Sequence, residues 1–320
     1  MPFVAGEGDC PSALSRPRGF RVHRNAVKSL DRTSGRIRRR VSAKKGSKES
    51  RIWHDLYSSV GSAAGKKGVF CVVTFYADES YDSLTLCVGG WLCGQRCWSD
   101  IERKWGQRVE YERRQSAKRS ERQISRFHAS DCSNRRGEYE QWTTVRQKLF
   151  VRRLVDVLIQ SKPFAIAHTC SFEDLTSLYP CSRSRAQKRM YRLCLYRCLM
   201  EVCEVVEKYF PGDSVTVIHD QGFNGEAQKA FDAVRKHHDR QRVLCSITAM
   251  EWKDSVALQA ADLISYEGMK ASSRYRSNNS EVRRSLRRII GSGVGLYISH
   301  IQPTLFQDMR RKGAEFRKGE

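Results

Sequence analysis

No stretch of this 320-residue sequence approaches the roughly 20 consecutive apolar residues of a membrane-spanning helix, so no such helix is expected. The opening Met1-Pro-Phe-Val-Ala-Gly-Glu-Gly-Asp9 lacks the basic start and apolar centre of a secretory leader, and a cytoplasmic location is the expectation. Internal repeats are also missing. Negative charge is scarce: 35 Asp and Glu stand against 58 Lys and Arg, a formal net charge of +23. A polyanion relieves an excess of that size, which makes nucleic acid the first partner to consider.

The chain is long enough to bury a sizeable core without covalent staples. Its 12 cysteines include Cys71, Cys194, Cys198, Cys203 and Cys245 in apolar stretches. There they read as small buried hydrophobes with free thiols in a reducing compartment. Cys93-Gly-Gln-Arg-Cys97, with Cys87 before it, has no second close Cys or His pair at finger spacing and so makes a poor zinc signature.

Composition divides the chain into three. Residues 1–66 carry Arg16, Arg18, Arg21 and the run Arg36 to Arg40 amid Ser and Gly, which reads as a flexible basic arm. The arm is either a solubilising tail or a nucleic-acid contact. Residues 67–272 read as a folded domain, and 273–320 as a basic, partly ordered C-terminal extension with an apolar segment at 294–301.

Within the domain, Val69 to Ala77 is a β-branched and aromatic run that predicts a buried strand ending at Asp78-Glu79-Ser80. Leu84 to Leu92 predicts its hairpin partner. Further strands are expected at 164–171, 215–218 and 243–250, and helices at 99–126, 138–160, 185–210 and 226–238. A last helix starts at Asp254-Ser255 and carries Ala257 to Ile264. That order predicts an α/β architecture, a mixed β-sheet flanked by helices.

Asp78 and Asp220 each follow a predicted strand, and Asp262 sits in the apolar run Ala-Leu-Gln-Ala-Ala-Asp-Leu-Ile. If the two strands are neighbours, their carboxyl ends meet at one sheet edge, where open α/β sheets place their sites. Asp254, Gln259 and Asp262 are spaced to look toward the same mouth from one helix. Converging carboxylates repel unless protons or cations lie between them, and an oxygen-only set prefers Mg²⁺ or Mn²⁺. Each acid also has a structural reading: a turn residue at Asp220, a helix cap at Asp254, a buried salt bridge at Asp262. His128 reads equally as a satisfied loop histidine or as a proton carrier or metal neighbour.

These motifs resemble the domain-of-unknown-function family 3800, a prokaryotic and phage-associated group with a ribonuclease-H-like fold. Tyr76-Ala-Asp78-Glu79-Ser80 is similar to its opening motif, and Phe127-His128-Ala129-Ser130-Asp131 to its histidine motif. His219-Asp220 is similar to its strand-end acid, and Asp254-Ser255 through Leu258-Gln259-Ala-Ala-Asp262-Leu263 to its closing helix. Tyr81 departs from the family, which usually has Gly there. The resemblance spans residues 69–270 and implies a ribonuclease-H-like sheet with Asp78, Asp220 and Asp262 as metal ligands and Glu79 as a fourth.

The expected function is a Mg²⁺- or Mn²⁺-dependent nuclease that hydrolyses RNA or DNA with two metal ions. Asp78, Glu79, Asp220 and Asp262 carry it, with His128 nearby, Gln259 orienting Asp262, and Asp254 and Ser255 behind the site. Arg103, Arg113, Arg114, Arg119 and Arg122 would contact phosphates. The alternatives are a non-catalytic nucleic-acid-binding protein of a phage-defence or mobile-element system, and a transposase or integrase relative, though no helix-turn-helix is evident.

Overall fold

The computed structural model describes residues 72–237, 240–279 and 281–304. The expected arm at 1–66, the first residues of the predicted strand and the tail beyond 304 lie outside the described residues. One six-stranded mixed sheet runs in the order β5-β4-β1-β2-β3-β6. Its strands are β1 (Val72–Tyr81), β2 (Thr85–Gly94), β3 (Phe164–Ser171), β4 (Ser214–Asp220), β5 (Leu244–Met250) and β6 (Leu296–His300). β1 pairs antiparallel with β2 and parallel with β4. β2 and β3 are antiparallel, while β3–β6 and β4–β5 are parallel.

Eight α-helices among the described residues cover the two faces: α1 (Gln95–Lys118), α2 (Ala129–Asn134), α3 (Thr144–Ser161), α4 (Phe172–Leu178), α5 (Arg183–Tyr209), α6 (Asn224–His237), α7 (Val256–Arg276) and α8 (Arg284–Gly291). Strand alternation splits the core into two clusters. Tyr76, Trp91, Ala165 and Ile218 face α1, α3 and α7. Phe75, Val88, Ile166 and Val217 face α5 and α6. The result is an α/β fold of three layers, with the sheet buried on both sides. Among the described residues no helix is long and apolar enough to cross a membrane.

α7 has its first two-thirds buried because it lies flat on the sheet, and small residues let it come close. A Cβ on Gly89 of β2 would stand 3.1 Å from the Ser265 backbone, and one on Gly268 would stand 2.8 Å from Cys87 Sγ. Trp91 Nε1 donates to Ala260 O at 2.8 Å, spending the indole's one polar group on the same helix. Ser265 Oγ lies 3.2 Å from Ser80 Oγ at the far end of β1. Gly89 is also the residue opposite Asp78 in the β1–β2 ladder, so the close approach of α7 occurs where the site lies.

Several expectations need correction. β1 does not stop at Asp78; it runs to Tyr81, with Asp78, Glu79 and Ser80 paired to Gly89, Val88 and Cys87. Polar residues on a β1–β2 hairpin keep their ladder partners wherever the partner strand continues. The helix expected over 99–126 spans 95–118 instead, and the chain beyond it is irregular. Half-buried Arg146 holds that turn by pairing with Glu112 and Glu121. The helix expected from 138 starts at Thr144, capped by Thr143, after a single 3₁₀ turn at Gly137–Tyr139. The boundary expected near 272 falls inside α7, and the apolar segment of the expected extension supplies β6 at the edge of β3. Basic composition around Arg283 to Arg288 masked α8, whose Leu286 and Ile289 are buried.

Candidate metal centre

Two parallel neighbouring strands and α7 build the site. Asp78 follows Tyr76 and Asp220 follows Ile218 in strand parity, which assigns both to the α7 face, while Glu79 shares the parity of Ala77 and the α5 face. Near the strand ends the faces converge: ligand oxygens of Asp78, Glu79 and Asp220 all lie within 4.8 Å of one another. Among the described residues this is the one group of three or more His, Cys, Asp or Glu so arranged.

The backbone holds these carboxylates in place. Asp78 Oδ1 accepts the Glu79 amide at 2.8 Å. Asp220 accepts the Gly222 amide at Oδ2 and the Trp252 amide at Oδ1, each at 3.2 Å. Glu79 Oε2 is buried with no hydrogen-bond partner among the described residues. A side chain at Gly222 would crowd the space, since its Cβ would stand 3.3 Å from Asp220 Oδ2 and 3.4 Å from Glu79 Oε1. Among the described residues no Lys or Arg pairs with Asp78, Glu79, Asp220 or Asp262.

Burial, with uncompensated charge beside it, shifts three of these carboxyls upward. Burial first, then the charges of Glu79, Asp262 and Asp220, hold Asp78 well above the usual carboxylate range. Burial, with Asp220 beside it, pushes Glu79 to about 8. Burial raises Asp262 to about 6, against the lowering effect of His128 and of the Ala129 amide.

Asp262 is 4% exposed and stands outside the 4.8 Å group. Its Oδ2 accepts the Ala129 amide at 2.7 Å, and its charge reaches both Asp78 and Glu79. The salt-bridge reading of Asp262 therefore fails among the described residues. Gln259 does not orient Asp262; its Oε1 accepts the Phe127 amide at 3.0 Å. One turn of α7 thus fastens the 127–129 segment by two side-chain acceptors. His128, between them, lies with Nδ1 2.8 Å from Asp131 Oδ2 and its ring 5.1 Å from that of Trp252.

Asp254 is exposed in a 3₁₀ turn and does not join the mouth; Ser255 is the N-cap of α7, accepting the Leu258 amide at 3.2 Å. His219 is buried on the other side of β4, its Nδ1 2.6 Å from Asp220 O. Arg103 pairs with Asp100, and Arg113 and Arg114 with Glu110. Arg122 donates to Gly137 O, and Arg119 forms the C-cap of α1. These five arginines are exposed, but four of them already have a partner.

Two neighbours of the site were not singled out from the sequence. Trp252 supplies an amide to Asp220, and Arg126 lies 4.4 Å over its ring. Tyr191 of α5 is buried against Phe223, with ring centroids 4.5 Å apart. Burial and then Glu79, Asp78 and Asp220 drive its phenol upward, which places it within reach of all three charges. On α5 its spacing is that of any core residue, so the sequence carried no signal for it.

No protein-family model matches the chain, and no curated protein matches it either.

Proposed function

We propose that this protein is a divalent-metal-dependent nuclease hydrolysing phosphodiester bonds of RNA or DNA. The observation that carries the reading is the oxygen set of Asp78, Glu79 and Asp220, gathered within 4.8 Å with no cation paired to it among the described residues. A donor set of oxygens only, with Glu79 Oε2 buried and unpaired, fits a hard cation such as Mg²⁺ or Mn²⁺. The parallel neighbours β1 and β4, with acids on one edge and α7 packed across them, support a ribonuclease-H-like sheet and the resemblance to family 3800.

The residues divide the work. Asp78, Glu79 and Asp220 would hold the cations, and Asp262 adds a fourth negative charge from α7. When bound, divalent ions activate a water nucleophile and stabilise the leaving oxygen of a phosphodiester. Gly222 keeps side chains out of the space between Asp220 and Glu79. Gln259 and Asp262 fix the segment that presents His128, whose ring is steadied against Trp252 for contact with substrate or transfer of a proton. Ten free cysteines among the described residues suit a reducing, cytoplasmic setting.

Cleavage of a labelled oligonucleotide tests this. Activity in Mg²⁺ or Mn²⁺ should vanish in EDTA and fall about 10²- to 10³-fold in Asp78→Asn, the scale of removing a principal electrostatic stabiliser of the transition state. Cleavage that survives both would remove the mechanism. The net charge of +23 supports a second reading, a nucleic-acid binder without catalysis. That reading predicts binding that weakens steeply with salt and no divalent site.

A further inference from the structure

The structure holds a concave feature outside the carboxylate site. α1 and α3 diverge around a groove of about 520 Å³ lined by Arg103, Lys104, Arg108, Tyr111, Arg153 and Asp156 among others. Four of these six are cations and one is an anion. Asp156 is taken by Arg288 from α8, so it does not cancel the lining charge. Arg103 and Lys104 share the single carboxylate of Asp100, one anion for two cations. Arg153 reaches Glu112 at 3.4 Å, but Arg146 holds the same carboxylate more closely at 2.9 Å. Arg108 forms no ion pair among the described residues.

The lining therefore has a surplus of positive charge and several donors. It also has an aromatic face: Tyr111 is 43% exposed, with the Arg153 guanidinium 5.6 Å from its ring centroid. Cations that track a backbone, with an aromatic ring available to a base, are the combination by which proteins hold single strands. Position matters as well. The opposite flank of α1, at Gly106, Val109 and Arg113, borders a smaller hollow of about 190 Å³ that reaches Gln259, the residue that fastens the His128 segment. α1 thus separates the catalytic side from the cationic groove by the width of one helix, about 10 Å with side chains.

We propose that the α1–α3 groove is an anchoring site for the phosphate backbone of a single-stranded nucleic acid whose remainder crosses α1 to the carboxylate centre. The path of the strand across α1 rests on the nuclease reading above; its anchoring in the groove does not. Binding in the groove is independent of metal.

The test uses the full-length chain carrying Asp78→Asn, so that no strand is cut, and a fluorescein-labelled 20-nucleotide single strand followed by anisotropy. Arg108→Gln, which breaks no ion pair, and the double variant with Arg153→Gln should weaken affinity progressively. The slope of log affinity against log salt should fall by about 0.7 for each phosphate no longer neutralised. Arg185→Gln, an exposed residue of α5 across the sheet, is the matched control for net charge. ATP is the competitor that separates a strand from a free nucleotide. The proposal stands if both groove variants weaken binding, the control does not, and millimolar ATP fails to displace the strand. It falls if Arg108→Gln binds like its parent, if Arg185→Gln weakens binding as much, or if ATP displaces the strand fully. A Mn²⁺ titration of the chain without Asp78→Asn separates the two readings. Groove variants that weaken the strand in a protein that takes up no Mn²⁺ would leave the groove and remove the nuclease. Mn²⁺-dependent cleavage unaffected by the groove variants would do the reverse.

Discussion

Glu79 concentrates the energetics of the site in one side chain. Burial raises its carboxyl from the ordinary 4.5 to about 8. Such a group binds its proton more tightly folded than unfolded, so its stabilising contribution is complete below about pH 4.5 and is lost as pH rises through 8. In EDTA, the melting temperature of the protein should fall across that window, and Glu79→Gln should flatten the fall. A parent curve as flat as that of the variant would contradict a crowded, cation-free carboxylate. At this scale the sequence was informative where chemistry is local. An acid closing a hydrophobic run, or one inside an apolar helix, stands out by contrast with its neighbours, and that contrast singles out Asp78, Asp220 and Asp262. Gln259 was misassigned because its partner, the Phe127 amide, is 132 residues away, and no spacing rule reaches that far. Asp254 failed for the opposite reason: helical spacing was counted from it, but the helix begins two residues later at Val256.

The decisive element is α7, which brings Asp262 to the sheet because Gly89 and Gly268 leave no side chain in the way. Adding a methyl at Gly268 would place it 2.8 Å from Cys87 Sγ. Overpacking of this kind costs about 1–3 kcal/mol. Gly268→Ala should lower stability by that order in urea denaturation and should reduce cleavage, since it lifts the helix that carries Asp262. In a Cys87→Ala background, where the sulfur is gone, the cost should shrink or vanish. An equal cost in both backgrounds would show that the contact does not set the helix height. Elements with strong periodicity were legible in the sequence: β3 lies at 164–171 as expected, and α5 is displaced by only two residues at its start. α1 was read eight residues too long at its end because a run of arginines favours a helix but cannot mark where it stops. The stop depends on Arg146, Glu112 and Glu121, which belong to different segments.

The whole molecule joins two opposed charges: a basic chain of net +23 and an acidic cluster at the carboxyl edge of its central strands. Composition made the first legible and strand topology made the second, but their relation required coordinates. β6 shows the limit best. Its apolar residues are few and follow an arginine-rich stretch, so the segment resembled an appendage, whereas pairing with β3 gives its backbone groups partners and extends the sheet. The central claim is that the gathered carboxylates bind divalent cations, and it can be tested without any substrate. Titrating Mn²⁺ into the full-length protein at pH 8, with free ion followed by electron paramagnetic resonance, should show saturable uptake that Asp78→Asn with Asp220→Asn abolishes. The double variant should still melt in EDTA at or above the parent's temperature. Equal Mn²⁺ uptake by parent and variant would contradict the account.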